Sequence, residues 1–414
     1  MLYKNVSFCL SMIIWLVVAL LVGVLLGTFT GLFPGIHINL VAATLLASLG
    51  YFSRVEPIVL VVFIVAMAIT HTFVDFIPSV FLGAPEEDSF LAVLPGHQLL
   101  IEGRGFEAIV MTLYGGLAAL PIVLVFSFAY VLFLPGIYEI VRIAIPYLLI
   151  LVSLYLVLAE EEWILSGAIF LLAGFLGMFV FNLPVKEPLL PMLTGLFGVS
   201  GLIVSLKSKV QIPNQKIKSL KEVKLSRKDF WSSIAAGAFS AGVCSFLPGI
   251  GSGHAAVMGS EISGSVKENQ RSFLFLVGMI NTMMMALSFV TIYAIGKTRS
   301  GAAVAVSELL GEMTSSDLAV IVAMVLASGV LAFFAGLQLA KLFSSRISKL
   351  SYRGLSWSVI GLLLVVNLFL TNALGILVLI TSSALGVFCI QSRVRRIQLM
   401  GVLLVPTILY YLMG

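Results

Sequence analysis

All four histidines of the chain stand in or beside stretches where helix-breaking residues interrupt apolar sequence. His37 follows Pro34-Gly35 by two residues, and His254 follows Pro248-Gly249 by five. His71 shares the end of an apolar segment with Asp75, and His97 directly follows Pro95-Gly96. Histidine titrates near neutral pH, so these side chains suit proton carriage or anion ligation. Their bland role is to satisfy backbone groups that a break leaves loose. The short helix expected after each Pro-Gly presents free N–H groups and a positive dipole end, which favour an anion. Asn39, Ser252 and Ser260 add hydrogen-bonding side chains there.

Charged residues gather at a second pair of breaks. Glu86, Glu87 and Asp88 follow Gly83-Ala84-Pro85 and precede Ser89. Lys297, Thr298, Arg299 and Ser300 follow Gly296. Acidic groups at a helix start also serve as caps. Charge at membrane depth is expensive and usually functional. One assignment follows. His71, Asp75, Glu86, Glu87 and Asp88 bind a coupling cation, H⁺ or Na⁺. Pro34, Gly35, His37, Asn39, Gly83, Pro85, Ser89, Pro248, Gly249, Ser252, His254 and Lys297 to Ser300 hold an anionic substrate.

The elements that must position these residues occur twice. Gly23 leads through a small-residue apolar run to Pro34-Gly35-Ile36, and Gly237 leads through a similar run to Pro248-Gly249-Ile250. The two prolines stand 214 residues apart in a chain of 414. Proline removes a donor and glycine frees the backbone, so each Pro-Gly ends a helix. Matching breaks in two halves point to a transporter binding site. For Gly23, Gly27 and Gly31, close helix packing in lipid is the simpler role.

The bulk composition sets the class. Hydrophobic residues make up 60%, charged residues 10%, and mean hydropathy is +1.14. Many apolar runs reach the roughly 17–25 residues that span a bilayer. The expectation is an all-α polytopic membrane protein with two inverted-topology repeats. It has ten full spans and four shorter elements, the latter being the two Pro-Gly hairpins, 12–33 with 37–50 and 231–247 with 253–264. Spans are expected over 57–76, 106–134, 140–158, 163–181, 189–206, 272–293, 317–343, 356–371, 374–391 and 397–413. Residues 1–206 form the first repeat and 230–414 the second, with a basic linker over 207–229. Segment 12–33 has no evident cleavage site and is expected to be retained.

Charge gives the orientation. The linker carries Lys207, Lys209, Lys216, Lys218, Lys221, Lys224, Arg227 and Lys228 against Glu222 and Asp229. That places it in the cytoplasm and the N-terminus outside. Its lysines also suit anionic lipid headgroups. The same layout brings Lys267 with Arg271, the 341–353 cluster and Arg393 to Arg396 to the inner face. A plasma-membrane protein with halves of opposite orientation results. The net charge of +5 sits in short loops and is no nucleic-acid signature. Cys9, Cys244 and Cys389 are too dispersed for a disulfide framework or a metal cluster, and no cofactor is expected.

These motifs resemble a known family. Leu82-Gly83-Ala84-Pro85-Glu86-Glu87-Asp88-Ser89, then Pro95-Gly96-His97 and Gly103-Arg104-Gly105, are similar to the second motif of the tripartite tricarboxylate transporter large permease family (TctA). Leu247-Pro248-Gly249-Ile250-Gly251 is similar to the family's later break. The likeness covers roughly residues 20–120 and 235–310. It implies an ion-coupled secondary transporter of di- and tricarboxylates. It also implies a small membrane subunit and an extracytoplasmic binding protein as partners. The chain departs from the family at Met279-Ile280-Asn281-Thr282, where an Asn- and Ala-rich run is usual, and at the basic 296–301 stretch.

A flippase for a lipid-linked phosphate such as polyprenyl phosphate is the alternative within transport, because helix N-termini and a basic pair suit phosphate too. An intramembrane enzyme ranks lower. Neither H-E-x-x-H nor G-x-S-x-G occurs, and Ser252 and His254, two residues apart on a helix, diverge. Homo-oligomerisation stays open at this level. Charge reversal at Arg299 is expected to abolish uptake; unchanged uptake would sink the substrate half of the assignment.

Overall fold

A computed structural model of the chain describes residues 2–33, 38, 41–42, 45, 55–83, 89–207, 213–247, 250–264, 269–298, 300–349 and 352–413. The regular elements among the described residues are all helices, without strands. In lipid every backbone polar group must be satisfied within its own segment, and helices do this. In the first half, α1 (Leu2–Leu32), α2 (Pro57–Val74) and α3 (Phe76–Leu82) lead to a 3₁₀ turn (Phe90–Ala92). Next come α4 (Val93–Ile101), α5 (Gly105–Leu158), α6 (Trp163–Phe181), α7 (Leu189–Leu193) and α8 (Ser200–Lys207). The second half holds α9 (Arg227–Cys244), α10 (Ser252–Ile262), α11 (Gln270–Ile295), α12 (Gly301–Leu310) and α13 (Ser315–Arg346). It ends with α14 (Tyr352–Leu370), α15 (Ala373–Gln391) and α16 (Gly401–Met413).

Eight of these helical stretches are long and apolar enough to cross a membrane. The expectation of ten spans is refined at four places. Ser11–Leu32, expected as one arm of a broken hairpin, is itself of spanning length. Expected spans 140–158, 189–206 and 356–371 are the shorter apolar helices Pro146–Leu158, Leu189–Val204 and Ser356–Leu370. Segments 106–134 and 140–158 are joined in α5, which runs unbroken for 54 residues through Pro121, Pro135 and Pro146. A π turn over Thr194–Val199 divides 189–206 into α7 and α8. The expected helix over 37–50 lies mostly outside the described residues.

Both halves run through the same succession. The helix through α2 and α3 ends on Gly83 at φ 64°, ψ 26°, and α11 ends on Gly296 at φ 64°, ψ 21°. This left-handed cap needs glycine, because a Cβ is disfavoured there. A short helix follows each cap, α4 or α12, and then a long one, α5 or α13.

The packing crosses between halves. α1 lies along α2 and α9 along α11, but α5 packs against α11 and α13 against α2. α2 and α11 are apolar over most of their circumference and almost wholly enclosed, as central helices must be. Exposed Phe, Leu and Ile on α1, α5 and α6 are the lipid-facing surface that this class of fold requires. The chain also sorts into two packed groups. α1–α5 and α9–α13 share the main apolar core. α6–α8 and α14–α16 pack together around two smaller clusters. α5 runs from one group to the other.

Two contacts hold the halves in register. A Cβ on Gly115 of α5 would lie 2.0 Å from the Phe275 carbonyl oxygen, and one on Gly278 of α11 would lie 2.2 Å from that of Thr112. Backbone therefore touches backbone, as small residues allow in lipid. Gly23 and Gly27 play the same part between α1 and α2, which agrees with their packing role.

The second contact is ionic. Glu107, in the first turn of α5, is 1% exposed and meets three cations. They are Arg104 at 2.9 Å, Lys218 of the linker at 2.9 Å and Arg271 of α11 at 2.5 Å. The hydrogen bond to Glu107 raises the Arg104 guanidinium above its ordinary range. Around it, Gln215 accepts from the Gly105 N–H, Lys216 N–H donates to the Gly103 carbonyl, and Tyr114 donates to the Leu220 carbonyl. This part of the linker is a strap laid over the α4–α5 junction, beyond the charge signal read in its sequence.

Gly115→Ala and Gly278→Ala are each expected to destabilise the purified protein by the roughly 1–3 kcal/mol typical of overpacking, read as a lower melting temperature. Gly136→Ala, with nothing within 4 Å of its added Cβ, serves as the neutral control in the same thermal-shift series.

Candidate functional site

The helix that carries His71 and Asp75 is interrupted for a reason legible in its residues. Pro78 has no N–H to give the Val74 carbonyl, so the ladder of α2 stops there. α3 then resumes from Phe76. The junction residue Asp75 keeps helical dihedrals, φ −59° and ψ −21°. Ser79 donates from Oγ to the Asp75 carbonyl at 2.7 Å, which takes up part of the interruption.

A buried polar cluster forms at this junction. Asp75 is 1% exposed, and its Oδ2 accepts from Asn281 Nδ2 at 3.0 Å. Thr72 Oγ1 lies 3.2 Å from Thr282 Oγ1. Both contacts reach from α2 across to α11, between residues more than 200 positions apart. His71 Nδ1 lies 3.0 Å from Thr30 Oγ1 of α1. Ser79 Oγ lies 2.7 Å from Ser89 Oγ, tying α3 to the start of the next short helix. A like pair in the second half, Ser288 and Ser300, lies 3.4 Å apart. Ser300 also caps α12, accepting from the Ala303 N–H at 3.1 Å.

The α5–α11 crossing sets this geometry. Gly278 and Asn281 are three residues apart and Gly278 and Thr282 four, so they lie on adjoining positions of one helix face. A Cβ on Gly116 would meet Phe73 at 2.8 Å and Thr282 Oγ1 at 3.0 Å. The close approach at these glycines is what brings Asn281 and Thr282 within reach of α2.

The second histidine site is separate. His254 lies in the first turn of α10, buried, and its Nδ1 accepts from the Gly251 N–H at 3.2 Å. That is the bland role set out for it, satisfying a backbone donor at a helix start. Ser252 is buried at the first position of the same helix. A mainly apolar cavity of about 480 Å³ lies beside it, between α10 and the C-terminal end of α5. Cys244, His254 and Glu261 line one side, and Tyr155 and Leu156 the other. Glu261 is 3.8 Å from Arg395.

The sequence-derived candidates thus divide. His71, Asp75 and Ser89 come together, and Gly83 caps the helix that bears Asp75 and Ser79. Ser252 and His254 share α10. Lys297 and Thr298 are exposed, unlike the buried cluster; the Lys297 carbonyl accepts from Thr291 at 3.3 Å. Pro34, Gly35, His37, Asn39, Pro85, Glu86, Glu87, Asp88, Pro248, Gly249 and Arg299 lie outside the described residues. His97 stands on α4, where burial pushes its imidazole below the ordinary 6.5 against a hydrogen bond to the Val80 backbone that raises it. Among the described residues no group of three His, Cys, Asp or Glu side chains could hold a metal ion.

Sequence reasoning missed Thr30, Thr72, Ser79, Asn281 and Thr282 as site residues. The available signal was Asn281, a lone amide inside an otherwise apolar helix.

A sequence model of the tripartite tricarboxylate transporter TctA family matches residues 17–401. The chain belongs to that family. Membership makes it a transporter of tricarboxylate-type solutes and a multi-pass membrane protein. TctA proteins are the large membrane parts of tripartite systems that include a small membrane subunit and a binding protein. "Uncharacterized protein MJ1079" of Methanocaldococcus jannaschii is 32% identical over 404 residues, which covers 92% of this chain and 94% of that protein. No solved structure matches the chain. For this TctA member, the match spans both sides of the Asp75–Asn281 contact.

Asn281→Ala leaves a buried carboxylate oxygen without its amide donor. The expected cost is about 1.5–3 kcal/mol of stability. Asn281→Gln, one methylene longer, is expected to fall between, as read by chemical denaturation in detergent.

Proposed function

We propose that the chain is a secondary active transporter of a di- or tricarboxylate, coupled to H⁺ or Na⁺ and working by alternating access. The observation that carries this reading is the buried Asp75 carboxylate held by Asn281 across the two halves. A carboxylate far from water is costly unless a proton, a cation or a hydrogen-bond network offsets its charge. Taking up H⁺ or Na⁺ changes that balance, and the contact to α11 would pass the change to the other half. His71, one helical turn before Asp75, supports the same role. Asn281, Thr72 and Thr282 supply neutral oxygens and an amide suited to a cation or a polar solute.

The halves, 1–206 and 230–414, act as repeats of opposite orientation in this reading. The matching glycine caps and the reciprocal packing of α5 on α11 and α13 on α2 support the repeat. The basic linker lies in the cytoplasm and the N-terminus outside, by the charge distribution. A plasma-membrane location and delivery of substrate by a binding protein follow from the tripartite family. Glu86, Glu87 and Asp88 complete the cation side; Lys297, Arg299 and the N-terminal turns after Pro34-Gly35 and Pro248-Gly249 remain proposed for the anion.

A second reading, transport of a lipid-linked phosphate, is favoured by one feature. The cavity beside His254 is mostly apolar and is bordered by Leu151, Tyr155 and Ile262, which are exposed on the outer surface. Such a cavity suits an acyl or prenyl chain better than citrate.

Ligand-induced thermal stabilisation separates the readings. Citrate and succinate are expected to stabilise the purified protein, with a size that depends on Na⁺ or on pH. Asp75→Asn is expected to keep the fold and lose that ion dependence. Ion dependence as in the wild type would refute the role of Asp75, and stabilisation by polyprenyl phosphate alone would overturn carboxylate transport.

A further inference from the structure

Two adjacent arginines before α16 have different surroundings. Arg395 meets two carboxylates, Glu160 and Glu261. Arg396 forms no ion pair among the described residues; its Nη2 donates to the carbonyls of Leu196 and Phe197 and lies 3.2 Å from Ser200 Oγ. Its guanidinium stands 5.7 Å from the centre of the Phe197 ring. These partners are all neutral, and the buried Nε has no hydrogen-bond partner among the described residues. The carbonyls belong to the π turn, where the hydrogen-bonding ladder is irregular. Arg396 opens a segment apolar enough to span the membrane, and it is partly exposed. A cation so placed, with no carboxylate of its own, is costly unless an anion can reach it.

The place of Arg396 in the fold says which anion. It belongs to the α6–α8 and α14–α16 group, yet it borders the other group. A Cβ on Gly201 would lie 3.5 Å from its Nη2, 3.6 Å from its Nη1 and 3.8 Å from the Gly83 carbonyl oxygen. Gly83 ends α3, whose seven residues make about 10 Å of helix leading from Asp75. The guanidinium therefore stands where the two helix groups meet, one short helix away from the buried polar cluster.

We propose that Arg396 is an anion contact on the transport route, binding a carboxylate group of the substrate where the two helix groups meet. This rests on the carboxylate-transport reading. A planar guanidinium suits a carboxylate; here Nη2 is taken by the neutral partners and Nε is buried, which leaves Nη1 as the donor for it. The bonds to Leu196, Phe197 and Ser200 hold the group in one orientation while leaving its charge unneutralised. Its partial exposure lets a solute approach. The residue would set preference for multiply charged carboxylates over neutral solutes of similar size.

The test uses the purified full chain with citrate as probe. Citrate affinity is measured by calorimetry for the wild type, Arg396→Gln and Arg396→Lys. Gln keeps a donor for the Phe197 carbonyl and removes the charge; its citrate affinity is expected to drop about tenfold or more, the scale of a lost charge-assisted contact. Lys keeps the charge and is expected to lose less. A folded Arg396→Gln protein with wild-type affinity overturns the proposal. A purely structural role would lower the melting temperature of both variants and leave affinity unchanged. If the variants fail to fold, the wild type itself gives the answer. Phenylglyoxal modifies accessible arginines, and peptide mass spectrometry reads each site. Citrate is expected to slow modification of Arg396 several-fold and to leave the exposed Arg353 unaffected. Equal rates at Arg396 with and without citrate overturn the proposal. Absence of any carboxylate binding by the wild type would instead refute the transport reading on which it rests.

Discussion

The backbone-to-backbone crossing of α5 and α11 is the constraint from which the arrangement of this protein follows. In lipid there is little hydrophobic force between helices, so association depends on close packing and interhelical hydrogen bonds. Gly115 and Gly278 remove the side chains that would hold the two helices apart. The gain is more than dispersion energy. Because α5 belongs to the first half and α11 to the second, the crossing ties the halves into one core. It also presents Asn281 and Thr282 to α2, so the same contact that stabilises the fold assembles the polar cluster.

Charge is distributed around that core in three ways. Glu107 is surrounded by Arg104, Lys218 and Arg271, which joins the linker to both halves near one end of α5. Arg395 bridges Glu160 and Glu261, a second tie between packed groups. Arg396 differs from these, because its partners among the described residues are neutral hydroxyls and carbonyls. Ion pairs that are complete suit a structural role. A charge held by neutral groups remains able to respond to an incoming ion. This contrast separates the parts that hold the molecule together from those suited to transport.

Much of the fold was legible in order along the chain. Apolar runs and helix-breaking residues act locally, so α2, α10, α11 and α15 lie close to their expected positions. The prolines of α5 were less informative. Pro121, Pro135 and Pro146 are accommodated within a continuous helix, where a turn near 135–139 had been expected. Neighbouring helices can re-satisfy groups freed by proline in a membrane. His71 and Asp75 were readable as polar residues at an interrupted helix end. Asn281 was readable as a polar residue in an apolar segment and as a departure from a family pattern, but its role was not, because its partner lies in the other half. Lys297 drew attention for its charge and proved exposed.

The sequence by itself determined that the protein is helical and membrane-spanning, and it pointed to two similar halves. Hydropathy, helix-breaking residues and caps act over a few residues, and the chain carries that information at each point. Tertiary structure decided which polar residues meet. Asp75 with Asn281, Thr72 with Thr282, Glu107 with Lys218 and Arg396 with Phe197 all join residues more than 100 positions apart. Such pairs depend on the angle and closeness at which whole helices cross. That geometry arises from the summed packing of many small and apolar side chains, and no short stretch of the chain contains it.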